Sequence, residues 1–169
     1  AVVVADTDVP VPAYAVTEIK IATVAPEGSA WTRIFNKMKA AIERNDVIGF
    51  GALTPNIRRA IAWAKYAKEK GKLTVMGGPH ASVDQGIFLD SGHFDYVLKG
   101  EAEETLPQFL KALEGNDDAA LAQVAGLAGV RDGQVWVDNA APPLIKKLDE
   151  LPLPARHLLP MERYFQLNP

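Results

Sequence analysis

Cysteine is absent from the 169-residue chain. That removes disulfides, thiolate zinc sites, cysteine nucleophiles and iron–sulfur clusters from this polypeptide in one step. Histidine is scarce, with His80, His93 and His157 as its three examples. His93 and His157 stand alone, and His80 follows Pro79 in an expected loop, so no metal site is expected. No apolar run approaches the roughly 20 residues that cross a bilayer. No charged start followed by an apolar middle opens the chain, as a signal peptide would. The expectation is a cytoplasmic protein without a membrane partner. An excess of one charge is also missing: 18 Lys+Arg stand against 21 Asp+Glu, a net −3. The basic residues are scattered, which argues against nucleic acid as a partner. Two phosphate signatures are missing as well, the Gly-X-X-X-X-Gly-Lys-Ser/Thr loop and a Gly-X-Gly-X-X-Gly after the first strand, which argues against an ATPase, a GTPase or an NAD enzyme. Gly49-Phe50-Gly51 lacks the third glycine and follows a middle strand. No nucleophile–base pair is legible, and no catalytic residue is expected.

What is present is organised around Lys72-Leu73-Thr74-Val75-Met76-Gly77-Gly78-Pro79-His80-Ala81. An apolar strand runs straight into a Gly-Gly-Pro corner, where missing Cβ atoms leave open volume at the strand's carboxyl end. In open α/β sheets that end is where ligands sit. Before it, Ala1 to Ala5 and Val16 to Val24 read as strands, with a gap too short for an ordinary parallel crossover. A helix follows from an N-cap at Ser29 through Arg44, with Trp31, Ile34, Phe35, Met38, Ala41 and Ile42 at helical spacing. Val47 to Leu53 is a buried strand, and Thr54-Pro55 opens a helix as N-cap and first-turn proline that Gly71 stops. Gln85 to Ser91 is at most a short helix. Phe94 to Lys99 is a strand, and a helix runs from Ala102 or Glu103 to Leu113. The alternation β-α-β-α-β-α with short loops predicts a parallel sheet covered on both faces. Right-handed crossovers then bring the turns after three strands to one edge. Beyond the core, Asp132-Gly133 between Val124–Val130 and Gln134–Val137 signals a hairpin. Leu148 to Pro160, with Pro152, Pro154 and Pro160, reads as a stiff linker.

Glycine turns followed by helix starts suit a phosphate-bearing or nucleotide-tailed ligand. A signalling receiver domain is excluded, because Gly51-Ala52-Leu53-Thr54-Pro55 offers no carboxylate where the phosphoacceptor belongs. Four segments together carry a resemblance: Val47-Ile48-Gly49-Phe50-Gly51; Val75-Met76-Gly77-Gly78-Pro79-His80-Ala81; Phe94-Asp95-Tyr96-Val97-Leu98-Lys99-Gly100-Glu101-Ala102-Glu103-Glu104-Thr105; and Leu148-Asp149-Glu150-Leu151-Pro152-Leu153-Pro154-Ala155-Arg156. In this order and spacing, over roughly residues 45–165, they resemble the amino-terminal cobalamin-binding domain of cobalamin-dependent radical SAM proteins. The resemblance implies a flavodoxin-like (Rossmann-like), doubly wound α/β fold with a mainly parallel sheet, a C-terminal β-hairpin and a Pro-rich tail. It divides the chain into a cobalamin-binding core at 1–118, a hairpin extension at 119–147 and a linker at 148–169 toward a radical SAM domain. S-adenosylmethionine and a [4Fe–4S] cluster would belong to that other domain of the same polypeptide. The function implied is presentation of cobalamin for methyl transfer or related radical chemistry, with no turnover by this chain alone.

By the same resemblance, the nucleotide tail of cobalamin lies in a slot between the sheet and a helix. Gly51, Ala52, Leu53 and Thr54 form its first turn. Gly77, Gly78, Pro79 and His80 form the second, with the adjacent glycines against the tail. Gly100, Glu101 and Glu103 form the third. Gly51 stands where related domains often carry Ser, and Ala102 replaces the commoner glycine of Gly-Glu-Gly-Glu. The chain has no Asp-X-His-X-X-Gly, so cobalamin bound base-off without a His ligand is expected. Two other readings accompany this one: a non-catalytic protein-interaction module that uses the hairpin and tail, and a flavin- or nucleotide-binding flavodoxin-like domain. Glu101, Glu103 and Glu104 also suit a helix start for electrostatic reasons alone.

Overall fold

A computed structural model describes residues 30–153. The expected strands at 1–5 and 16–24, the short crossover between them and the proline run beyond Leu153 lie outside the described residues. Helix α1 (Ala30–Arg44) leads into strand β1 (Val47–Gly51), helix α2 (Ile57–Glu69) and strand β2 (Leu73–Gly77). Two short helices, α3 (Pro79–Val83) and α4 (Gly86–Leu89), precede strand β3 (Tyr96–Leu98). Helices α5 (Thr105–Glu114) and α6 (Asp118–Leu121) come before the hairpin of β4 (Leu127–Arg131) and β5 (Gln134–Asp138).

The strands form one five-stranded sheet in the order β1-β2-β3-β4-β5. The first three are parallel, and the hairpin adds to β3 antiparallel. The hairpin turns through Asp132 (φ 52°) and Gly133 (φ 75°), the positive pair that an Asp-Gly type I′ turn requires.

Period-two alternation divides the strand residues between the two faces. Ile48, Phe50, Met76 and Val97 face a core that contains Trp63, Ala64 and Ala67 of α2 and Phe88 of α4. There Phe94 meets both Phe50 and Phe88 edge-on, each at 5.5 Å. Val75, Tyr96 and Leu98 face a second core with Phe109 and Ala112 of α5 and Leu121 of α6. Helices therefore cover both faces, as the sequence pattern predicts. At the edge where the parallel strands begin, the Asp95 carboxylate accepts hydrogen bonds from the Thr74 amide (2.8 Å) and hydroxyl (3.0 Å) and from Lys68 Nζ (2.6 Å). This charge-assisted cluster fixes β3 against β2.

Local expectations fail at three places. Thr54 does not cap α2: a 3₁₀ turn over Thr54–Asn56 precedes the helix, and no side chain caps either element. Pro79–Val83 is a turn of helix rather than a loop, because proline at a first helical position gives up no hydrogen bond. Helix α5 starts at Thr105, after Ala102 and Glu103.

Candidate functional site: a glycine-floored cleft at the strand ends

The loops after β1, β2 and β3 meet at the carboxyl edge of the parallel strands, and a cleft of about 210 Å³ opens there between β1–β2 and α5. Its cause is a shortage of side chain on one face. Val47, Gly49 and Gly51 alternate along β1 toward α5, as do Val75 and Gly77 on β2, while Leu106 and Leu110 come down from the helix. Gly51 is paired directly with Gly77 in the sheet register, so two neighbouring positions lack a Cβ, and neither Leu106 nor Leu110 comes within 4 Å of where those Cβ atoms would sit. Among the described residues the lining contains no polar side chain.

Three of the four cleft glycines, Gly51, Gly77 and Gly78, have different roles. A Cβ on Gly51 would meet nothing within 4 Å, and one on Gly77 only the Leu98 carbonyl oxygen at 3.7 Å. Gly78 has φ +93°, and its Cβ would come within 3.6 Å of the Ala52 amide nitrogen. Its glycine is required by backbone conformation, since the contacts at 3.6 Å and beyond are ordinary ones. The spatial pair that empties the cleft is thus Gly51 with Gly77, not the sequence neighbours Gly77 and Gly78.

Around the mouth, α3 ties the loops together. His80 Nδ1 and Thr54 Oγ1 lie 3.1 Å apart, and the His80 ring meets Phe88 edge-on at 5.9 Å. Ser82 Oγ donates to the Gly78 carbonyl at 3.3 Å and accepts from the Gly100 amide at 2.9 Å. Ala52 is buried, while Leu53 and Pro79 are exposed. Glu101 Oε2 accepts the Ile145 amide at 2.7 Å, which fixes the segment leaving the hairpin. Gly100 (φ +79°) sits under Pro142, whose Cδ would be 2.9 Å from a Cβ there. Glu103 is exposed and does not line the cleft.

Of the sequence-predicted residues, the cleft gathers Gly51, Gly77 and Gly78; Thr54 and His80 pair with each other; Glu101 faces the exit segment. Sequence reasoning missed Gly49, Leu106 and Leu110. The signals for them were the two-residue spacing of Gly49 and Gly51, which puts both on one strand face, and the i, i+4 spacing of the leucines.

Two ion pairs involve the hairpin. Lys99 Nζ, 2.7 Å from Asp138, and Gln85, hydrogen-bonded to the same carboxylate, hold that carboxyl below its usual range. On the hairpin, Arg131 grips Asp118 through two 2.8 Å bonds and stacks over Trp136 at 4.5 Å. That bidentate bond lowers the Asp118 pKa. Among the described residues no three His, Cys, Asp or Glu side chains cluster to hold a metal ion, and no helix is long and apolar enough to cross a membrane.

A family model for the B12-binding domain matches residues 28–110, the stretch that builds the floor, mouth and roof of this cleft. Residues 28–110 belong to the B12-binding domain family. An uncharacterized methyltransferase of Pyrococcus horikoshii is 34% identical to this chain over 123 residues, 70% of the chain and 26% of the relative. The anaerobic magnesium-protoporphyrin IX monomethyl ester cyclase of Cereibacter sphaeroides is 34% identical over 63% of the chain and 18% of its own length. Cytidylyl-2-hydroxyethylphosphonate methyltransferase of Streptomyces wedmorensis is 28% identical over 73% and 27%. The chain therefore spans about a quarter or less of the curated relatives it matches. Among solved structures, the cobalamin-dependent S-adenosylmethionine radical enzyme OxsB with aqua-cobalamin bound shares the fold at a TM-score of 0.60, with 20% identity over 80% of this chain and 19% of its own. The radical S-adenosylmethionine methyltransferase TsrM of Kitasatospora setae, with cobalamin and a [4Fe–4S] cluster bound, gives 0.53, with 14% identity over 66% and 22%.

Proposed function

We propose that this B12-binding domain holds cobalamin base-off, with the nucleotide tail in the cleft between β1–β2 and α5 and no histidine on the cobalt. It presents the cofactor to a radical SAM domain of the same polypeptide. The observation that carries this is the open, apolar space over Gly51 and Gly77. An apolar cavity of about 150 Å³ takes up a benzene ring, so a cleft of about 210 Å³ has room for a flat bicyclic base. Glycine floors let such a ring lie against the strands. The loops bearing Ala52, Leu53, Thr54, Pro79, His80 and Gly100 surround the mouth, where the rest of the cofactor would rest, with Glu101 and Glu103 at its outer side.

His80 is the one histidine near the mouth among the described residues; its Nδ1 pairs with Thr54 Oγ1, so Nε2 is the nitrogen whose ligation the spectrum below would detect. His93 precedes β3, at the opposite end of that strand from the mouth. Cobalamin supplies a cobalt able to carry a methyl group; this chain supplies the slot, the mouth and an edge from which the cofactor is displayed. The proposed division is a core at 1–118, the hairpin extension at 119–147 and a linker at 148–169. With no cysteine in the chain, reductive cleavage of S-adenosylmethionine falls to the other domain.

Titration with hydroxocobalamin tests binding, and the electron paramagnetic resonance spectrum of the Co(II) complex tests the lower face. The expected spectrum lacks the threefold splitting that an axial nitrogen gives to each cobalt line. Splitting that disappears in His80→Ala would make His80 a ligand and overturn the base-off, His-free assignment. Formation of 5′-deoxyadenosine by this chain alone would overturn the division of labour.

A further inference from the structure

The lining of the cleft limits which corrinoid it accepts. Corrinoids differ in the base that ends the nucleotide tail: dimethylbenzimidazole in cobalamin, adenine in the analogue pseudocobalamin. Off the cobalt, dimethylbenzimidazole offers one free ring nitrogen on an otherwise apolar bicycle. Adenine brings an amino group and several ring nitrogens. Among the described residues, the side chains that line this cleft beside its glycines on the α5 side are Val47, Val75, Leu98, Ala102, Leu106 and Leu110, and none of them donates or accepts a hydrogen bond. A polar group moved from water into such surroundings without a partner is penalised group by group, so the penalty rises with the number of polar edges on the base.

We infer that the cleft selects corrinoids with an apolar, benzimidazole-type lower base and discriminates against purine-tailed ones. This rests on the reading that the tail occupies the cleft. The missing hydroxyl at Gly51 sharpens it: the strand position whose side chain would project into open space contributes no polar atom. Discrimination here comes from what the side chains of the walls cannot pair, so a single polar side chain placed among them should reduce it.

The test measures dissociation constants of the full chain for cobalamin, pseudocobalamin and cobinamide, which lacks the nucleotide tail, by absorption titration. The same series is repeated on Leu110→Gln, and on Leu106→Gln in case the first variant folds poorly. Both leucines are half-buried, and glutamine is a good helix former of similar length. Each free corrinoid has its own equilibrium between base-on and base-off forms, which is identical in all titrations and cancels when the pseudocobalamin-to-cobalamin ratio is compared between proteins. The expected result is a ratio at least about tenfold larger in the parent chain than in the glutamine variant, with cobinamide bound at least about tenfold more weakly than cobalamin. Equal ratios in parent and variant, with cobinamide still weak, would overturn the selectivity while leaving the tail in the cleft. Cobinamide bound as tightly as cobalamin would remove the tail from the cleft and overturn both.

Discussion

At the scale of single residues, the cleft separates two reasons for having glycine. Gly51 lies in a strand with ordinary backbone angles and empty space over its Cα, so Gly51→Leu should fill the cleft without straining the chain. The expected outcome is thermal stability within a few degrees of the parent and affinity for hydroxocobalamin at least about tenfold weaker, near 1.4 kcal/mol. Unchanged affinity in an equilibrium titration would separate the cleft from the cofactor. Gly78 is the opposite case: φ +93° with ψ −179° is backbone that essentially only glycine adopts, so any side chain is penalised through conformation, by roughly 1–3 kcal/mol for alanine. Gly78→Ala should lower the urea midpoint before any binding is measured. This distinction was half legible. The sequence shows Gly77 and Gly78 side by side, but the pairing of Gly51 with Gly77 exists only in the register of β1 on β2, across 26 positions of chain. Gly49 was read as part of an incomplete dinucleotide motif because a motif is scanned along the chain, while a strand face is read at every second residue.

At the scale of elements, the periodic signals were the most readable. The apolar spacing of α2 and the Asp132-Gly133 turn gave the right element in the right place, because in both the local code and the tertiary environment ask for the same structure. Element ends were less legible. Thr54 has the chemistry of an N-cap, yet its hydroxyl turns to His80, and nothing in local sequence announces a partner 26 residues away. Glu101 is similar. The resemblance groups it with the cofactor turn, and its carboxylate holds the Ile145 amide across 44 residues. Removing that acceptor should release the exit segment. Glu101→Ala should speed hydrogen exchange at Ile145 by roughly tenfold, as expected for loss of a charge-assisted bond, and limited proteolysis should cut within 139–147. Glu101→Gln keeps an acceptor oxygen and should restore most of the protection. Equal exchange in all three proteins would refute the tether.

At the scale of the whole molecule, the sheet joins a parallel half that builds the site to an antiparallel half that covers the edge of β3, and an ion pair binds the two. Lys99 at the end of β3 reaches Asp138 at the end of β5. The Asp138 carboxyl is held below its ordinary value, by the Lys99 hydrogen bond first and then by Gln85. Its stabilising contribution is therefore complete above the unfolded carboxylate value, about pH 4, and disappears as pH falls through the lower folded value. Asp138→Asn should be less stable than the parent in urea at pH 6, with the gap narrowing toward pH 3; a constant gap would exclude this linkage. The hairpin has one more consequence, which concerns synthesis rather than the finished fold. Each strand pairs with its predecessor, and the described floor, mouth and roof of the cleft are complete by Leu110, before β4 begins at Leu127. A chain growing on the ribosome at about 5–20 residues per second thus spends a second or more with its described cleft residues made and the hairpin that covers β3 still missing. In that interval the uncovered backbone of β3 is a template for a neighbouring nascent chain, and arrival of the hairpin ends the exposure.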